Sequence, residues 1–338
     1  MIPNAQIVLP ARPFAETLAF FRERLGMRLL TIRPAEQPIT ALVAGGGVRL
    51  LLDATHDGDP GTLRLEAERD EDLLAPNGTR IQRRAIAATS VPRPTGAPTV
   101  VGRARRDDWT VGRAGMQYRD LIPGRLGGHL IASHIRIQHG GPVPDDVHFH
   151  DISFQLIHCL RGWVRVDYEN PGGEVELRAG ETLLQPPGIR HRVRMCSDML
   201  EVVEITSPAE HLTTLDHELA LPDATLVTHR QWDGQQFLLH RPSLPGAPQP
   251  EPEVDFEQAT AGRVRVHQLV AGTSGRIVGD PACVDFLFVR RGSGRITIAD
   301  TSHDLPEHGA ATLPPGHTAD LHAADGTLEA LHVQAVVD

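Results

Sequence analysis

Short apolar runs surround one helical pattern in the first 85 residues. Apolar side chains recur at helical spacing over residues 14–25, and Gly26 follows in the C-cap position. β-rich runs occupy residues 5–9 before this helix and residues 27–32, 39–43 and 48–52 after it. The pattern therefore predicts a small α+β module with the order βαβββ, which we assign to residues 1–90.

Beyond residue 112 the apolar residues alternate with a period of two in short segments. Glycine and proline, with 32 and 27 copies in the chain, interrupt these segments and are typical of many strands joined by turns. Residues 91–112 are rich in proline, glycine and arginine and are interpreted as a linker. Two all-β domains are then expected at residues 113–220 and 225–338.

Composition narrows the class of protein. A length of 338 residues, 40% hydrophobic and 22% charged residues, is typical of a multidomain globular protein. The net charge of −10 comes without a basic tract, which argues against a nucleic-acid partner. Three scattered cysteines, no signal-peptide pattern and no long apolar run favour a cytoplasmic protein without a membrane partner.

The most informative chemistry lies in the central domain. His148 and His150 stand two residues apart, so on a strand both imidazoles face the same way. Gln155 follows after a short bend, and His191 comes after the turn Pro186-Pro187-Gly188. Neutral imidazoles bind Fe, Ni, Mn, Cu and Zn ions, so we predict a metal site at His148, His150 and His191.

These residues resemble the two sequence motifs of the cupin superfamily. The first motif is met by Gly141, His148, His150, Gln155 and Gly162, with one extra residue before the first histidine and Gln155 in place of glutamate. The second is met by Gly180, Pro186, Gly188 and His191, with Met195 in place of asparagine. The resemblance implies a mainly β protein with cupin barrels of the double-stranded β-helix, or jelly-roll, type.

The replacement of glutamate by Gln155 changes the expected charge of the site. A carboxamide cancels none of the charge of a divalent ion, so the centre favours an anionic, chelating substrate. Three-histidine cupins without the acidic ligand resemble gentisate, salicylate and diketone dioxygenases, which implies Fe(II) as the metal and O₂ as co-substrate. Gln155 is then expected to act in catalysis by hydrogen bonding to bound substrate or oxygen.

Two residues on the preceding strand are candidates for substrate binding. His134 and Arg136 alternate with Ile135 and Ile137. If the polar face looks inward, Arg136 binds a substrate carboxylate and His134 lies beside it. An ordinary solvent-facing arginine is the alternative.

The two flanking domains are predicted to lack metal chemistry. In the C-terminal domain Val278, Asp280, Asp285 and Ala319 occupy the positions that correspond to the metal-binding residues, so the chain resembles a bicupin with one degenerate barrel. Residues 14–30 and 73–82 resemble a glyoxalase (vicinal oxygen chelate) module. Gln6 is the sole ligand-type residue on its first strand, so the resemblance implies a dimerising or ligand-gating appendage and a homodimer.

Three functions are therefore open at the level of sequence. The first is a mononuclear Fe(II) dioxygenase for a small oxygenated or aromatic acid. The second is a non-redox isomerase or lyase that uses the same site with another metal. The third is a small-molecule-binding or regulatory bicupin without turnover.

Overall fold

The structure is a computed structural model that describes most of the chain. It covers residues 5–85, 101–102 (backbone only), 109–170, 173–222, 230–242, 255–271, 275–324 and 326–336. Contacts divide the chain into two units, Met1–Ala88 and Thr89–Asp338. Strands dominate both units, so the expectation of a mainly β protein is confirmed.

The first unit contains the predicted βαβββ order followed by further strands. Its strands are β1 (Ile7–Pro10), β2 (Arg28–Arg33), β3 (Thr40–Gly45), β4 (Val48–Asp53), β5 (Thr62–Ala67), β6 (Glu71–Leu74) and β7 (Arg80–Ala85). Helix α1 (Phe14–Ala19) continues into a π-helical turn (Phe20–Arg24) before Gly26, which has a φ of 71°. In the described residues the sheet orders are β1-β4-β3-β2 and β5-β7-β6. The kinship with glyoxalase modules stays a prediction.

The second unit begins with a two-sheet barrel that carries the predicted metal site. Its strands are β9 (Thr110–Val111), β10 (Gln117–Asp120), β11 (Ile131–Ile137), β12 (Gly141–Pro142), β13 (His148–His150), β14 (Phe154–Arg161), β15 (Trp163–Tyr168), β16 (Gly173–Arg178), β17 (Thr182–Gln185), β18 (His191–Cys196), β19 (Leu200–Ser207), β20 (Thr213–Leu215) and β21 (Leu238–His240). One sheet has the order β21-β17-β14-β19-β11-β10-β9, and the other has β16-β15-β18-β13-β20 with β12 against β18.

The C-terminal domain repeats the two-sheet arrangement. Its strands are β22 (Val264–Ala271), β23 (Gly275–Val278), β24 (Cys283–Arg291), β25 (Gly294–Ile298), β26 (Thr301–Leu305), β27 (Ala310–Leu313), β28 (Thr318–Ala323) and β29 (Leu328–Val336), preceded by helix α2 (Phe256–Ala259). The sheets have the orders β22-β29-β24-β27-β8 and β23-β28-β25-β26, where β8 is Val101–Gly102.

Alternation along the strands divides the apolar residues between two cores. On β14, Ile157 and Cys159 belong to the core between the sheets of the first barrel, whereas Leu156 faces outward. Leu156 packs in a shared core with Phe286 and Val333 of the second barrel. The two barrels therefore stabilise each other through their larger sheets.

Strand pairing crosses two of the boundaries drawn from the sequence. Most of the proposed linker, at residues 91–100 and 103–108, lies outside the described residues. Its described parts are not all loop, because Val101–Gly102 pairs with Ala310–Ala311 and Thr110–Val111 pairs with β10. Leu238–His240, assigned to the C-terminal domain, instead pairs with Thr182–Leu184 of the first barrel. In the described part of the chain, the helices are too short or too polar to span a bilayer.

A buried histidine in the first barrel leads to a pH prediction. His158 is 1% exposed, and its Nδ1 lies 2.9 Å from the Thr182 hydroxyl. Burial lowers the pKa of His158 to about 3, and the neighbouring Arg290 and His240 act in the same direction. The unfolded chain takes up this proton below about pH 6.5, whereas the folded chain does not until about pH 3.

The contribution of His158 to stability should therefore fall as the pH falls from about 6.5 towards 3. We expect the wild-type chain to lose roughly 2–3 kcal/mol more than His158→Gln between pH 7.5 and pH 4.5. Denaturant unfolding at both pH values measures this difference. The matched control is His322→Gln, which changes an exposed imidazole. Equal acid sensitivity of His158→Gln and wild type would contradict the prediction.

Candidate metal centre

Three histidines converge inside the first barrel. His148 and His150 lie on β13, and His191 begins β18 directly opposite His148. The ring centroid of His148 lies 4.2 Å from that of His191 and 5.1 Å from that of His150. One nitrogen from each ring lies within 4.8 Å of the others. The structure thus brings together the three residues that the sequence predicts as metal ligands.

Hydrogen bonds to backbone carbonyls fix the tautomer of two of the rings. Nδ1 of His148 lies 2.7 Å from the Asp146 carbonyl and Nδ1 of His191 lies 3.0 Å from the Ile189 carbonyl, so each of these Nδ1 atoms carries the proton and each Nε2 presents a lone pair. Nδ1 of His150 lies 2.9 Å from the Thr213 hydroxyl, which can accept a hydrogen bond in the same way. The Nε2 of His148 is buried without a hydrogen-bond partner among the described residues. Buried lone pairs held by such outer hydrogen bonds are what a divalent ion requires, so the residues fit a metal.

Burial keeps these imidazoles neutral. It lowers the pKa of His148, lowers that of His150 to about 3, and lowers that of His191 well below its usual value. The positive charge of Arg113 acts in the same direction at all three rings. Neutral imidazole is the metal-binding form, so the site is ready to coordinate an ion at neutral pH.

Gln155 lies on the cavity wall and is hydrogen bonded to a second glutamine, Gln185. Its Oε1 accepts a hydrogen bond of 2.6 Å from Nε2 of Gln185, its cross-strand partner on β17. Tyr168 donates to Oε1 of Gln185 over 2.9 Å. Nε2 of Gln185 also lies 3.0 Å from Nε2 of His191. The carboxamide nearest to a ligating nitrogen is therefore Gln185, which the sequence interpretation missed.

The cavity beside the triad is small and mostly apolar. Its volume is about 80 Å³. The apolar wall includes Ile135, Ile137, Ile157, Val164, Val166, Leu177, Leu183, Val193, Leu200 and Val202. This volume favours a small ligand.

Two charged residues also line this cavity and were not singled out from sequence. Arg113 reaches it from the segment before β10, pairs with Asp145 and approaches Nδ1 of His148 to 3.3 Å. Glu204 lines it from β19, where it stands between the buried Val203 and Ile205. Burial raises the pKa of Glu204, opposed by the charge of Arg113 and by a hydrogen bond from Gln155. A polar residue on an otherwise buried strand is the signal that would have identified Glu204.

The two residues predicted to bind substrate lie on the other face of β11. Ile135 and Ile137 line the cavity, so the interpretation that placed His134 and Arg136 inward is wrong. His134 is 1% exposed and lies 2.8 Å from a Glu201 carboxylate oxygen. Arg136 stacks 4.0 Å from the centre of the Trp109 ring and donates to Gln117 over 2.7 Å.

A second group of possible metal ligands is formed by His134, Glu201 and His308. Arg119 approaches Nδ1 of His134 to 2.6 Å, and arginine can only donate. Nδ1 must then accept, which leaves the proton on Nε2 for the bond to Glu201. Both ring nitrogens of His134 therefore form hydrogen bonds, and neither has a lone pair left for a metal ion.

The C-terminal barrel lacks such a triad in its described residues. Val278 is 68% exposed and Ala319 is buried. Asp285 accepts hydrogen bonds from His332 at 2.6 Å and Gln334 at 3.0 Å, while Asp280 pairs with Arg265 at 2.8 Å. The Asp280 carboxylate and Oδ1 of Asp285 are thus held in structural pairs, and Oδ2 of Asp285 is buried without a partner among the described residues.

Comparison with known proteins gives similarity of structure alone. No protein-family model and no curated protein sequence matches the chain. A salicylate 1,2-dioxygenase variant from Pseudoaminobacter salicylatoxidans is 13% identical with a TM-score of 0.46, covering 62% of this chain and 70% of that one. Oxalate decarboxylase from Bacillus subtilis is 11% identical with a TM-score of 0.47, covering 74% and 78%. The Ylba protein from E. coli is 8% identical with a TM-score of 0.45, covering 73% and 94%. At these values the similarities carry no inference about activity.

Proposed function

We propose that this protein is a mononuclear non-haem metal-dependent dioxygenase that acts on a small, anionic, chelating substrate of the oxygenated or aromatic acid class. The observation that carries the proposal is the set of three buried imidazoles, each of which places one ring nitrogen within 4.8 Å of the others, with His150 and His191 lining the adjoining cavity. Fe(II) is the metal we favour, and Ni, Mn, Cu and Zn are the alternatives. Bound there, the ion would serve as a Lewis acid and as a template for substrate and O₂.

Charge favours an anionic substrate. The three imidazoles are neutral, so they cancel none of the charge of a divalent ion. Arg113 adds a cation at the cavity wall, and its side chain is 36% exposed, so it is within reach of an entering molecule. Its partner Asp145 contacts the guanidinium at Nη1 and accepts a hydrogen bond from the backbone of Val193 through its other oxygen. We propose Arg113 as the group that binds a substrate carboxylate.

The walls of the cavity perform two further tasks. Its apolar side chains exclude bulk water, which strengthens every electrostatic interaction within. Gln155, Gln185 and Tyr168 form a hydrogen-bonded polar strip that orients a substrate at one side.

Glu204 favours a second candidate function. Burial raises the pKa of the Glu204 carboxyl in the cavity, which favours its protonated form, and such a group can deliver a proton to a bound ligand. This group suits a non-redox isomerase or lyase, in which proton transfer rather than O₂ chemistry is the reaction. The two candidates share the histidine triad and differ in their use of oxygen.

Oxygen consumption separates these functions. Protein purified without oxygen is analysed for metal, loaded with Fe(II) and supplied with a panel of phenolic, hydroxy- and diketo-acids in an oxygen electrode. We expect stoichiometric O₂ uptake with at least one anionic chelator. Turnover without O₂ uptake supports the isomerase or lyase, and tight binding without turnover supports a regulatory bicupin. Either result overturns the dioxygenase.

The role of Arg113 gives a separate prediction. For the acid turned over in that panel, Arg113→Ala should raise KM about 10- to 100-fold, because a charge-assisted hydrogen bond to the carboxylate is lost. Arg136→Ala is the matched control, since it removes an arginine from the opposite face of the sheet. Equal KM values in the Arg113 variant and the wild type would contradict this assignment.

The predicted homodimer and cytoplasmic location stay predictions.

A further inference from the structure

The terminal amide of Gln185 occupies an unusual position for a residue outside the histidine triad. Its side chain is 1% exposed, and one amide atom lies 3.0 Å from the ligating Nε2 of His191. Gln185 ends β17, and the turn that follows leads directly into His191 at the start of β18. The same short connection therefore positions both side chains.

We propose that Gln185 is the fourth protein ligand of the metal and that it binds through Oε1. This assignment rests on the proposed metal site but not on the reaction performed there. Gln155, which was expected from the sequence to hydrogen bond to bound substrate or oxygen, then lies behind Gln185.

The distance between the two groups matches that of neighbouring metal ligands. Bonds of about 2.1 Å at right angles place two donor atoms about 3.0 Å apart. The separation of 3.0 Å between the Gln185 amide and Nε2 of His191 allows one ion to contact both. Gln155 lies one residue further along this chain of contacts, since its Oε1 bonds to Gln185.

The orientation of the amide is decided by what faces it. The nitrogen and oxygen of a glutamine amide are nearly isosteric, and either can face His191. A cation on Nε2 of His191 repels the N–H end of the amide and attracts its oxygen. The amide of Gln185 then turns its Nε2 to the Tyr168 hydroxyl, which can accept as well as donate, over the same 2.9 Å.

Gln155 supports this orientation as a positioning residue. With its own amide reversed, its Nε2 donates to Oε1 of Gln185 over the 2.6 Å that already separates them. Its Oε1 then faces Glu204, whose carboxyl must carry a proton to donate. Burial raises the pKa of Glu204, which is consistent with a protonated carboxyl at that end. The resulting centre has three imidazoles and one neutral oxygen donor, so the full charge of the ion is retained.

Co(II) titration tests the ligand directly, because its visible absorption reports coordination independently of turnover. Gln185→Leu should weaken Co(II) binding about 10- to 30-fold and shift the absorption bands. Gln185→Glu should tighten binding about 10-fold, because a carboxylate adds a charge at the same position. Gln235→Leu is the matched control, since this buried glutamine does not line the cavity.

The design separates failure of this inference from failure of the metal site. His191→Ala loses Co(II) binding if the triad is the metal site, and wild-type binding in that variant would overturn the site itself. Lost binding in His191→Ala together with wild-type affinity and spectrum in Gln185→Leu would overturn the role of Gln185 alone. If Gln185→Leu does not fold, as judged by circular dichroism, Gln185→Glu decides: unchanged affinity overturns the proposal and tighter binding supports it.

Discussion

Replacing His191 by alanine should reduce the affinity of the protein for Fe(II), Co(II) or Zn(II) by more than about 100-fold. Even substitutions that disturb only the outer hydrogen bonds of a metal ligand cost about 10- to 100-fold, and this one removes a ligand outright. His191 is the one triad member on β18, so its loss leaves two imidazoles from a single strand. Two imidazoles from one strand, even with a neutral amide oxygen from Gln185 beside them, hold an ion far more weakly than the complete set.

Thermal unfolding provides a second measure of this effect. A ligand present at about 100 times its dissociation constant stabilises the folded state by about 2.7 kcal/mol. We expect added metal to raise the Tm of the wild type and to leave that of His191→Ala unchanged. His322→Ala, which removes an exposed imidazole from the second barrel, should respond like the wild type. A metal-dependent rise in the Tm of His191→Ala would place the ion elsewhere.

The triad was predictable from one local rule and one motif. Residues two apart on a strand face the same way, which brings His148 beside His150. His191 was predicted from the spacing of the second sequence motif, and it meets His148 because β13 pairs with β18. That pairing joins residues far apart in the chain, and alternation alone does not predict it.

The rest of the site depends on which face of a strand is inside. Alternation separates His134 and Arg136 from Ile135 and Ile137, but the same pattern fits either face as the inner one. In the structure Ile135 and Ile137 face the cavity, and His134 lies on the outer face of the sheet. That outer face is also buried, and there His134 contacts Arg119 and Glu201. A buried polar cluster between domains has no signal in a single sequence.

The pairing of Gln155 with Gln185 across neighbouring strands could not be predicted from the sequence either. Gln155 and Gln185 are 30 residues apart, and they meet only because β14 pairs with β17 in one register. A shift by one residue would turn both away from the cavity. Arg113 is the first residue after the predicted linker, and its place at the cavity depends on the path of the chain before β10.

The second barrel keeps the two sheets but not the ligands, which raises the question of what it contributes. Its larger sheet carries Phe286, Phe288 and Val333 into the core that also holds Phe154 and Leu156 of the first barrel. These residues cover the outer face of the strand that bears Gln155. We infer that the second barrel supports the geometry of the metal-bearing one.

Phe286→Ala should therefore destabilise the first barrel although the substitution is in the second. Phe286 is fully buried, and removing a buried phenylalanine side chain costs about 3–5 kcal/mol. The three tryptophans, Trp109, Trp163 and Trp232, all precede the second barrel in sequence, so their fluorescence in urea reports on the first barrel. Its midpoint should fall together with that of circular dichroism, whereas Val278→Ala, at a site 68% exposed, should leave both unchanged. An unchanged tryptophan transition beside an earlier circular-dichroism transition would mean that the barrels unfold independently and that the metal site needs no support from its neighbour.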